Sequence, residues 1–569
     1  MRLGPITLLG LALATASDSG PLAQVRNGTY EGIYLPTFHQ EIYLGIPYAQ
    51  TTGGANRFRP PQGLLIHEKW DGVRPAKDYG PSCPDADTPG PMGEDCLSIN
   101  IVRPARNTYT DTETGKEKKL PVMVWIHGGS YQVGSSSLPN YNLTFIVQRS
   151  VDIGLPVVAT SINYRKGGWG NLYSREVQGS GNTNLSLRDM RKALAWIQEN
   201  IDAFGGDASS VTIWGESSGS FAVGQLLMSY GGRTDGLFHR SIQESGSAAT
   251  AWYNGSDWYQ PIYDKIVQQV NCTEAIDTLE CLRTVDYEDL YPFLNYTAIE
   301  GPGWYPTVDG DIIPAYPTTL LHTGRFAQIP HIYGTNSDEG TDNAPTTRPI
   351  NTDEDLYKYL LHESGFGFPE SVVKHIMEIY PDDPEQGIPL NSGKERFAEM
   401  GGGLQYKRVA AIVGDVFYHA PRLDDARYYS KGARTFVYRF NTRPLDGYGN
   451  TDSGGSGNNN ASVMLAPAYK GVAHFSEVGF VFANPMAVGS WEGYRALSRE
   501  MSERWIRFAN TGDPNVEGLL PRWPRYDEGE CGLNMVLQTE MQGGLSVEED
   551  TYRLEGREFL TKWARRRHV

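Results

Sequence analysis

A serine in a Gly-x-Ser-x-Gly pentapeptide is the first residue of this chain whose setting indicates catalysis. Ser217 is the centre of Gly-Glu-Ser-Ser-Gly at residues 215–219. A serine hydroxyl is a weak nucleophile near neutral pH, so it needs a turn that exposes it, a general base, an orienting acid and donors for an oxyanion. An apolar run at 211–214 precedes the pentapeptide, and the pattern at 221–228 is helical. This strand–turn–helix setting predicts that Ser217 is a nucleophile.

Backbone N–H groups are the expected donors for the oxyanion. One is the N–H of Ser218, which directly follows the nucleophile. The others are expected from a glycine-rich turn, because an earlier apolar run ends in His-Gly-Gly-Ser at 127–130. Glycine lets the chain turn its amides toward a substrate oxygen, so the pattern predicts that Gly128 and Gly129 complete the oxyanion hole. His127 is interpreted as structural, because it precedes the nucleophile in the chain.

The acid and the base are expected after Ser217, in the order nucleophile, acid, histidine. An acidic pair follows a predicted strand, with Glu339 the preferred acid and Asp338 the alternative. His474 lies in a loop after the last predicted strand, where an imidazole can reach the serine, and His419 is the alternative base. The remaining histidines after the acid lie in helical-looking segments or in the C-terminal tail: His362, His375 and His568.

Alternating strands and helices must position these residues. Continuous apolar runs predict strands at 121–126 and 155–162, and a short strand is predicted at 211–214. Further strands are predicted at 240–243, 330–334 and 435–440. Apolar residues recur at helical spacing over 187–201, which predicts a helix with one face on the sheet. The pattern is typical of an α/β fold, a mostly parallel sheet covered by helices on both faces. Residues 17–569 are expected to form one domain, in which the mainly helical segments 250–316 and 353–430 wall the active site.

The N-terminal residues and the cysteines indicate export. An apolar run at 6–13 precedes the small residues Ala-Thr-Ala at 14–16, which predicts a signal peptide over residues 1–16. The chain has five cysteines, and two pairs close small loops: Cys83 with Cys96, and Cys272 with Cys281. In an oxidising compartment these pairs are expected to form disulfides and to leave Cys531 free. No later run reaches the length of a membrane span, so no stable membrane insertion is expected.

Asn-x-Ser/Thr sequons are consistent with a secreted glycoprotein. The candidate glycosylation sites are Asn27, Asn142, Asn254, Asn271, Asn295 and Asn460. A seventh sequon, at Asn184, abuts a predicted helix start and is expected to be the least used. The expected location is extracellular.

The charge balance constrains the partners. The formal net charge is −17, which argues against nucleic acid, since phosphate binding needs a cationic surface. Covalent catalysis by a serine requires neither a metal nor an organic cofactor, so none is expected. The expected partner is an ester substrate, either a small molecule or a lipid.

Several motifs together resemble the type-B carboxylesterases, a family that includes lipases and cholinesterases. Phe-Gly-Gly at 204–206, Val-Thr-Ile-Trp at 211–214 and the pentapeptide at 215–219 resemble the serine signature of that family. Glu-Asp-Cys-Leu-Ser at 94–98 is similar to its second signature, with Ser98 where an aromatic residue or threonine is usual. Further similar segments span nearly the whole mature chain: 57–61, 163–165, 338–340 and 508–514.

The resemblance implies an α/β-hydrolase fold, two disulfides and a catalytic triad. It implies the triad Ser217, Glu339 and His474, and the same oxyanion donors and disulfides that the residues themselves suggest. It also implies two buried structural ion pairs: Arg57 with Glu94, and Arg165 with Asp189. The closest similarity is to secreted fungal members, some of which process specialised metabolites.

The substrate is the least determined feature, because fold and triad do not set it. The loop from Cys83 to Cys96 corresponds to the mobile lid of related lipases, and here it is short and contains no aromatic residue. A short loop argues against interfacial activation, and the missing aromatic argues against a cation site. The prediction is a carboxylesterase for short- to medium-chain or aromatic esters. The alternatives are a triacylglycerol or sterol-ester lipase, a specialised-metabolite esterase and a non-catalytic binding protein of the same fold.

Overall fold

The computed structural model describes residues 20–64, 69–106, 108–109, 117–299, 303–446 and 465–567. Within these ranges the strands are β1 (Leu22–Gln24), β2 (Thr29–Glu31), β3 (Ile33–Leu35), β4 (Gln40–Pro47), β5 (Val73–Pro75), β6 (Ser98–Pro104), β7 (Leu120–Ile126), β8 (Val158–Ile162), β9 (Gly206–Glu216), β10 (Arg240–Glu244), β11 (His331–Asn336), β12 (Thr435–Phe440), β13 (Leu533–Leu537) and β14 (Ser546–Glu549). The predicted signal peptide and the sequon at Asn460 lie outside the described residues.

The α-helices of the described residues are α1 (Leu143–Asp152), α2 (Gly167–Asn171), α3 (Arg175–Ser180), α4 (Leu185–Asn200), α5 (Ser218–Met228), α6 (Ser256–Gln269), α7 (Thr278–Thr284), α8 (Tyr287–Leu294), α9 (Pro317–His322), α10 (Asp353–Lys358), α11 (Glu370–Ile379), α12 (Tyr406–Gly414), α13 (Ala420–Gly432), α14 (Val478–Val481), α15 (Pro485–Val488), α16 (Glu492–Thr511) and α17 (Leu554–Arg567). A π-helical turn at Asp415–His419 joins α12 to α13.

The described strands form one large sheet and one small sheet. The large sheet has the order β14-β13-β12-β11-β10-β9-β7-β8-β6-β4-β3, and β1, β2 and β5 form the small one. From β8 to β13 neighbouring strands run parallel, and antiparallel pairs lie only toward the two edges. The predicted α/β fold is therefore confirmed. Because β7 lies between β8 and β9, the loops that leave β7 and β9 meet at a point where the strand order changes, which is where open α/β sheets bind ligands.

The side chains of β7 show how the sheet is buried on both faces. Successive residues of a strand point to opposite faces. Val122, Val124 and Ile126 pack in one apolar cluster with Leu194 of α4, whereas Trp125 packs in a second cluster on the other face. This burial on both faces is why the strand reads as a continuous apolar run rather than an alternating one.

The predicted elements agree with the observed ones, with shifts at their ends. The predicted helix at 187–201 corresponds to α4, and the helix predicted at 221–228 begins three residues earlier at Ser218. The strand predicted at 211–214 is the last part of the longer β9. The predicted helical segment 250–316 contains α6 to α8, and the segment 353–430 contains α10 to α12 and most of α13. Residues of these helices pack in two further apolar clusters.

Candidate active site

The turn between β9 and α5 holds Ser217 in a strained backbone conformation. Its φ is 55° and its ψ is −126°, a region that a non-glycine residue adopts only when its surroundings enforce it. The flanking glycines permit the turn because neighbouring backbone leaves no room for a side chain. A Cβ on Gly219 would lie 2.1 Å from the carbonyl oxygen of Ile126, and one on Gly215 would lie 2.6 Å from that of Gly219. The Ser217 N–H donates to the Glu244 carbonyl at 3.0 Å, which ties the turn to β10.

The glycine-rich turn after β7 lies directly against the serine. A Cβ on Gly128 would lie 3.0 Å from the Cβ of Ser217 and 2.8 Å from the carbonyl oxygen of Glu216. Gly129 has φ +104°, and a Cβ there would lie 2.2 Å from the carbonyl oxygen of Val133. Within the described ranges no acceptor bonds to the N–H groups of Gly128 and Gly129. These amides are therefore available to a ligand beside the serine.

Ser218 joins the serine turn to the same glycine-rich segment. It is the first residue of α5, so its N–H has no partner within the helix. Its hydroxyl accepts from the Tyr131 N–H at 3.1 Å. Tyr164 donates its hydroxyl to the His127 carbonyl at 2.7 Å, and its ring stacks on the His127 imidazole. Burial lowers the pKa of His127 to about 3, so His127 is neutral, as its interpretation as a structural residue requires.

Glu339 and His474 form a hydrogen-bonded pair. His474 Nδ1 and Glu339 Oε2 are 2.7 Å apart, and Glu339 Oε1 accepts from the Asn336 N–H at the end of β11 at 2.7 Å. Glu339 is completely buried. A buried carboxylate bonded to Nδ1 fixes the ring tautomer and leaves Nε2 for the substrate side.

A second carboxylate, which the sequence reasoning missed, faces the other ring nitrogen. Glu216 Oε1 lies 3.1 Å from His474 Nε2. The ring of Tyr418 packs on the imidazole with its centroid 4.6 Å away. The only sequence signal for this contact is the position of Glu216 immediately before Ser217. The two carboxylates therefore lie one at each ring nitrogen of His474.

The alternative acid and base have other partners. Asp338 accepts from the N–H groups of Leu390 and Val472, both at 2.7 Å, and thereby fastens the loop that leads to His474. Burial raises the pKa of Asp338 to about 6. His419 belongs to the π-helical turn, and its Nδ1 lies 3.2 Å from the Thr335 hydroxyl oxygen. Burial lowers the pKa of His419 to about 3.

Two further buried carboxylates lie behind the imidazole, and the sequence reasoning did not find them either. Glu477 accepts from the Asn336 side-chain amide at 2.6 Å and from the Ser245 hydroxyl at 3.1 Å. Glu244 accepts from the indole N–H groups of Trp214 and Trp505 at 2.7 and 2.6 Å. Burial and the neighbouring Glu477 raise the pKa of Glu244 well above its usual value.

The structure contains the paired contacts that the sequence suggested outside the site. Disulfides join Cys83 to Cys96 and Cys272 to Cys281, and Cys531 is free and partly exposed. The two ion pairs are present, with N–O distances of 2.6 Å for Arg57–Glu94 and 2.7 Å for Arg165–Asp189. The second pair is buried, whereas Glu94 of the first is partly exposed. No helix in the described part of the chain combines the length and apolar character of a membrane span.

The candidate glycosylation sites differ in exposure. Asn271 is exposed, and Asn142 and Asn254 are partly exposed. Asn27 and Asn295 are buried, and so is Asn184, whose side-chain amide donates to the Thr307 carbonyl at 2.8 Å. A glycan needs an accessible side-chain amide, so the buried positions are poorer acceptors than the sequons alone suggest.

Comparison with known proteins places this geometry in a family. The profile of the Carboxylesterase family matches residues 19–554. Lipase 4 of Diutina rugosa is 32% identical over 97% of this chain and 98% of its own length. Secreted lipase 1 of Botryotinia fuckeliana is 31% identical over 92% of this chain and 89% of its own. The crystal structure of Aspergillus niger EstA superimposes with a TM-score of 0.77 at 25% identity, covering 97% of this chain and all of that one. The chain belongs to the carboxylesterase family and is a carboxylic ester hydrolase with the α/β-hydrolase fold.

Proposed function

We propose that the chain is a secreted serine carboxylesterase that uses Ser217 as nucleophile, His474 as base and Glu339 as the orienting acid. The hydrogen bond between His474 Nδ1 and Glu339 Oε2, at 2.7 Å, is the observation that carries the proposal. It joins two residues that are 135 positions apart in the chain. Both belong to loops at the carboxyl ends of strands, as the serine turn does.

The reaction has two halves. In the first, His474 takes the proton of Ser217 as the hydroxyl oxygen attacks the ester carbonyl, and the alcohol leaves with that proton. The N–H groups of Gly128, Gly129 and Ser218 donate to the oxyanion of the tetrahedral intermediate. In the second half, water attacks the acyl carbonyl as it loses a proton to His474, and His474 gives that proton to the Ser217 oxygen as the bond to the acid breaks. Glu339 holds the ring and stabilises its charged form in both halves.

A fluorophosphonate probe tests the nucleophile. The mature protein should label covalently and hydrolyse p-nitrophenyl butyrate, whereas Ser217→Ala should do neither. Ser209→Ala is the matched control, because Ser209 is exposed and lies before the pentapeptide. A wild-type protein that does not label, or a Ser217→Ala variant that labels equally, would favour the non-catalytic alternative.

Short- to medium-chain or aromatic esters are the proposed substrates. The support is the short loop between Cys83 and Cys96, which is 13 residues in sequence separation and is closed by a disulfide. A loop of this kind offers little surface with which to cover and uncover an acyl site. Rates with p-nitrophenyl esters of increasing chain length should therefore be highest for soluble substrates.

A lipase is the second candidate, because relatives covering nearly the whole chain are named lipases. Emulsified triglyceride separates the two functions. A steep rate increase above the solubility limit of the substrate would identify a lipase and would overturn the preference for an esterase.

Export is proposed on three observations: the apolar N-terminal run, the two disulfides, and a relative named a secreted lipase. An oxidising compartment is where such disulfides persist. Expression of the full sequence in a eukaryotic host should yield protein in the medium that begins near residue 17. Retention of uncleaved protein in the cells would contradict this proposal.

A further inference from the structure

A completely buried lysine lies beside the glycine-rich turn and has no role in the reaction as written above. Lys166 directly precedes α2, and its side chain has no exposed area. Its ammonium group donates to the carboxylate of Asp85 and to the backbone carbonyl of Gly134. Asp85 is equally buried and lies in the loop closed by the Cys83–Cys96 disulfide. The lysine therefore connects that loop to the end of the glycine-rich turn.

The loop closed by the Cys83–Cys96 disulfide also holds the N–H of Gly134. The Gly134 N–H donates to the Thr88 hydroxyl oxygen at 2.7 Å. Thr88 is held in turn by Asp85, whose Oδ1 accepts the Thr88 N–H at 2.7 Å. Lys166 therefore holds the Gly134 carbonyl, and Thr88, which Asp85 holds in turn, accepts from the Gly134 N–H.

Gly134 lies against the turn that carries the unbonded amides. It has φ +102°, and a Cβ on it would lie 2.7 Å from the carbonyl oxygen of Gly128. Immediately after Lys166, the Gly167 N–H donates to the Tyr131 carbonyl at 2.7 Å. Gly134 therefore cannot move toward the turn by the length of one bond without reaching the Gly128 carbonyl oxygen.

The buried pair of Lys166 and Asp85 is unfavourable compared with apolar side chains in the same space. Removing an ammonium and a carboxylate from water is unfavourable, and apolar residues of equal volume in their place often give a fold that is equally stable or more stable. Burial lowers the pKa of Lys166 and the charge of Asp85 opposes that shift. What an apolar pair would lack is the directed hydrogen bond to the Gly134 carbonyl.

We propose that Lys166 is a positioning residue that, with Asp85 and Thr88, locks Gly134 and so holds the amides of Gly128 and Gly129 in place for the oxyanion. This inference rests on the proposed function. Amides that are fixed before the reaction need no reorganisation as the oxyanion forms. Loss of the lock should therefore weaken binding of the transition state more than binding of the ester.

Kinetics of Lys166→Met and of Lys166→Met/Asp85→Asn test the lock. The single variant leaves a buried carboxylate unpaired and should be less stable, with kcat for p-nitrophenyl butyrate lower by about 10- to 100-fold and KM little changed. The double variant removes both charges, and the amide oxygen of the new asparagine side chain retains an acceptor for the Thr88 N–H. It should recover thermal stability without recovering kcat. A trifluoromethyl ketone, which forms an oxyanion on the serine, should lose affinity in proportion to kcat.

The matched control is Arg165→Met/Asp189→Asn. It removes a buried ion pair one residue away whose side chains bond to each other and to the Arg59 carbonyl, not to the glycine-rich turn. Its kcat should stay within about threefold of the wild-type value, a smaller change than the loss expected for Lys166→Met. Recovery of kcat together with stability in the Lys166→Met/Asp85→Asn variant would overturn the proposal, as would an unchanged kcat in Lys166→Met.

A second variant and a second measurement keep the test independent of folding and of the proposed function. Thr88→Val removes the acceptor of the Gly134 N–H without changing charge, and it should lower kcat with the same unchanged KM; a wild-type kcat would count against the lock.

If the wild-type protein hydrolyses no ester, the proposed function fails, and amide hydrogen exchange still reports on the lock. Exchange over 127–134 should be faster in the double variant than in wild type, and equal exchange would refute it.

Discussion

His474 is enclosed by carboxylates, and only one of them is the proposed acid. Glu339 bonds to Nδ1, Glu216 faces Nε2 at 3.1 Å, and Glu477 lies behind them on the Asn336 side chain. Several negative charges cannot be ionised together in a buried space without a large cost, so some of these groups keep their protons. Glu244 is one of them, because burial and the neighbouring Glu477 raise its pKa well above its usual value.

Glu477 should make stability depend on pH. Burial and the charge of Glu339 raise the pKa of Glu477 to about 7, against the opposing effects of its hydrogen bonds and of His474. The folded state therefore binds the proton more tightly than the unfolded state. The stabilisation is complete below the unfolded pKa, near 4.3, and it is lost as the pH rises through about 7.

Glu477→Gln removes this titration, so the variant should gain stability relative to wild type as the pH rises. Urea unfolding at pH 5, 6, 7 and 8 measures the difference in the free energy of unfolding, which should shift by about 1 kcal/mol per pH unit below pH 7. Asp338 remains in both proteins and Glu477 is not among the groups that shift its pKa, so its titration cancels from the difference. A difference that does not change with pH would show that Glu477 is ionised throughout.

At the scale of elements, the site depends on three backbone segments that pack without intervening side chains. The turn after β7, the turn after β9 and the start of α5 approach one another at glycines. Gly128, Gly215 and Gly219 each have a backbone carbonyl within 3 Å of the position a Cβ would occupy. Glycine at these positions is required by close approach and not by local flexibility.

Gly128→Ala should damage catalysis by moving the oxyanion turn away from the serine. The added methyl group would lie 2.8 Å from the Glu216 carbonyl oxygen, a backbone atom that cannot rotate away. We expect kcat for p-nitrophenyl butyrate to fall by about 10²- to 10³-fold, the loss typical of one missing oxyanion donor.

Gly179→Ala is the control for this substitution. Gly179 lies in α3, and a Cβ there would meet no atom within 4 Å. It should keep full activity and gain roughly 0.5–1 kcal/mol of stability from the higher helix propensity of alanine. Full activity in Gly128→Ala would mean that the turn can move without loss of the oxyanion donors.

At the scale of the whole molecule, the large sheet and the insertions are separate packing units. The sheet is buried between two apolar clusters, and the segment from α6 to α8 packs around a third cluster of its own. The Cys272–Cys281 disulfide lies in that segment. Arg57 connects the α6–α8 segment to the loop closed by Cys83 and Cys96. Its guanidinium donates to the carbonyls of Leu282 and Val285 and pairs with Glu94 of that loop.

Replacing Cys272 and Cys281 together by alanine should weaken this unit without removing the site. Closing a loop with a sequence separation of 9 residues stabilises the fold by about 2 to 3 kcal/mol in the chain-entropy description. The half-life of esterase activity at elevated temperature should therefore shorten, while kcat at 25 °C is retained. Cys531→Ala, which removes the free thiol, should change neither, and an equal loss in both variants would contradict the assignment of stability to the bridge.

Much of the fold and several site residues can be predicted from the sequence alone. Continuous apolar runs locate β7 and β8 because strands buried on both faces have no polar side to interrupt the run. The glycines at 128, 129, 215 and 219 and the serine between the last two are visible because close backbone approach restricts residue type. Chain order and position after a predicted strand select Glu339 and His474 as the proposed acid and base, and in the structure the two side chains are 2.7 Å apart.

Features that depend on contacts between distant segments cannot be predicted from the sequence and are seen only in the tertiary structure. Glu244 and Glu477 carry no periodic or local signal, and Glu216 has only its position before Ser217. The packing of β9, β10 and the His474 loop is what buries all three carboxylates near one imidazole. Lys166 is an ordinary charged residue in the sequence, and it becomes a fixed ammonium only because Asp85 and Gly134 converge on it. The physical reason is that local sequence sets backbone propensity and burial pattern, whereas the charge state and orientation of a buried polar group depend on all the segments that surround it.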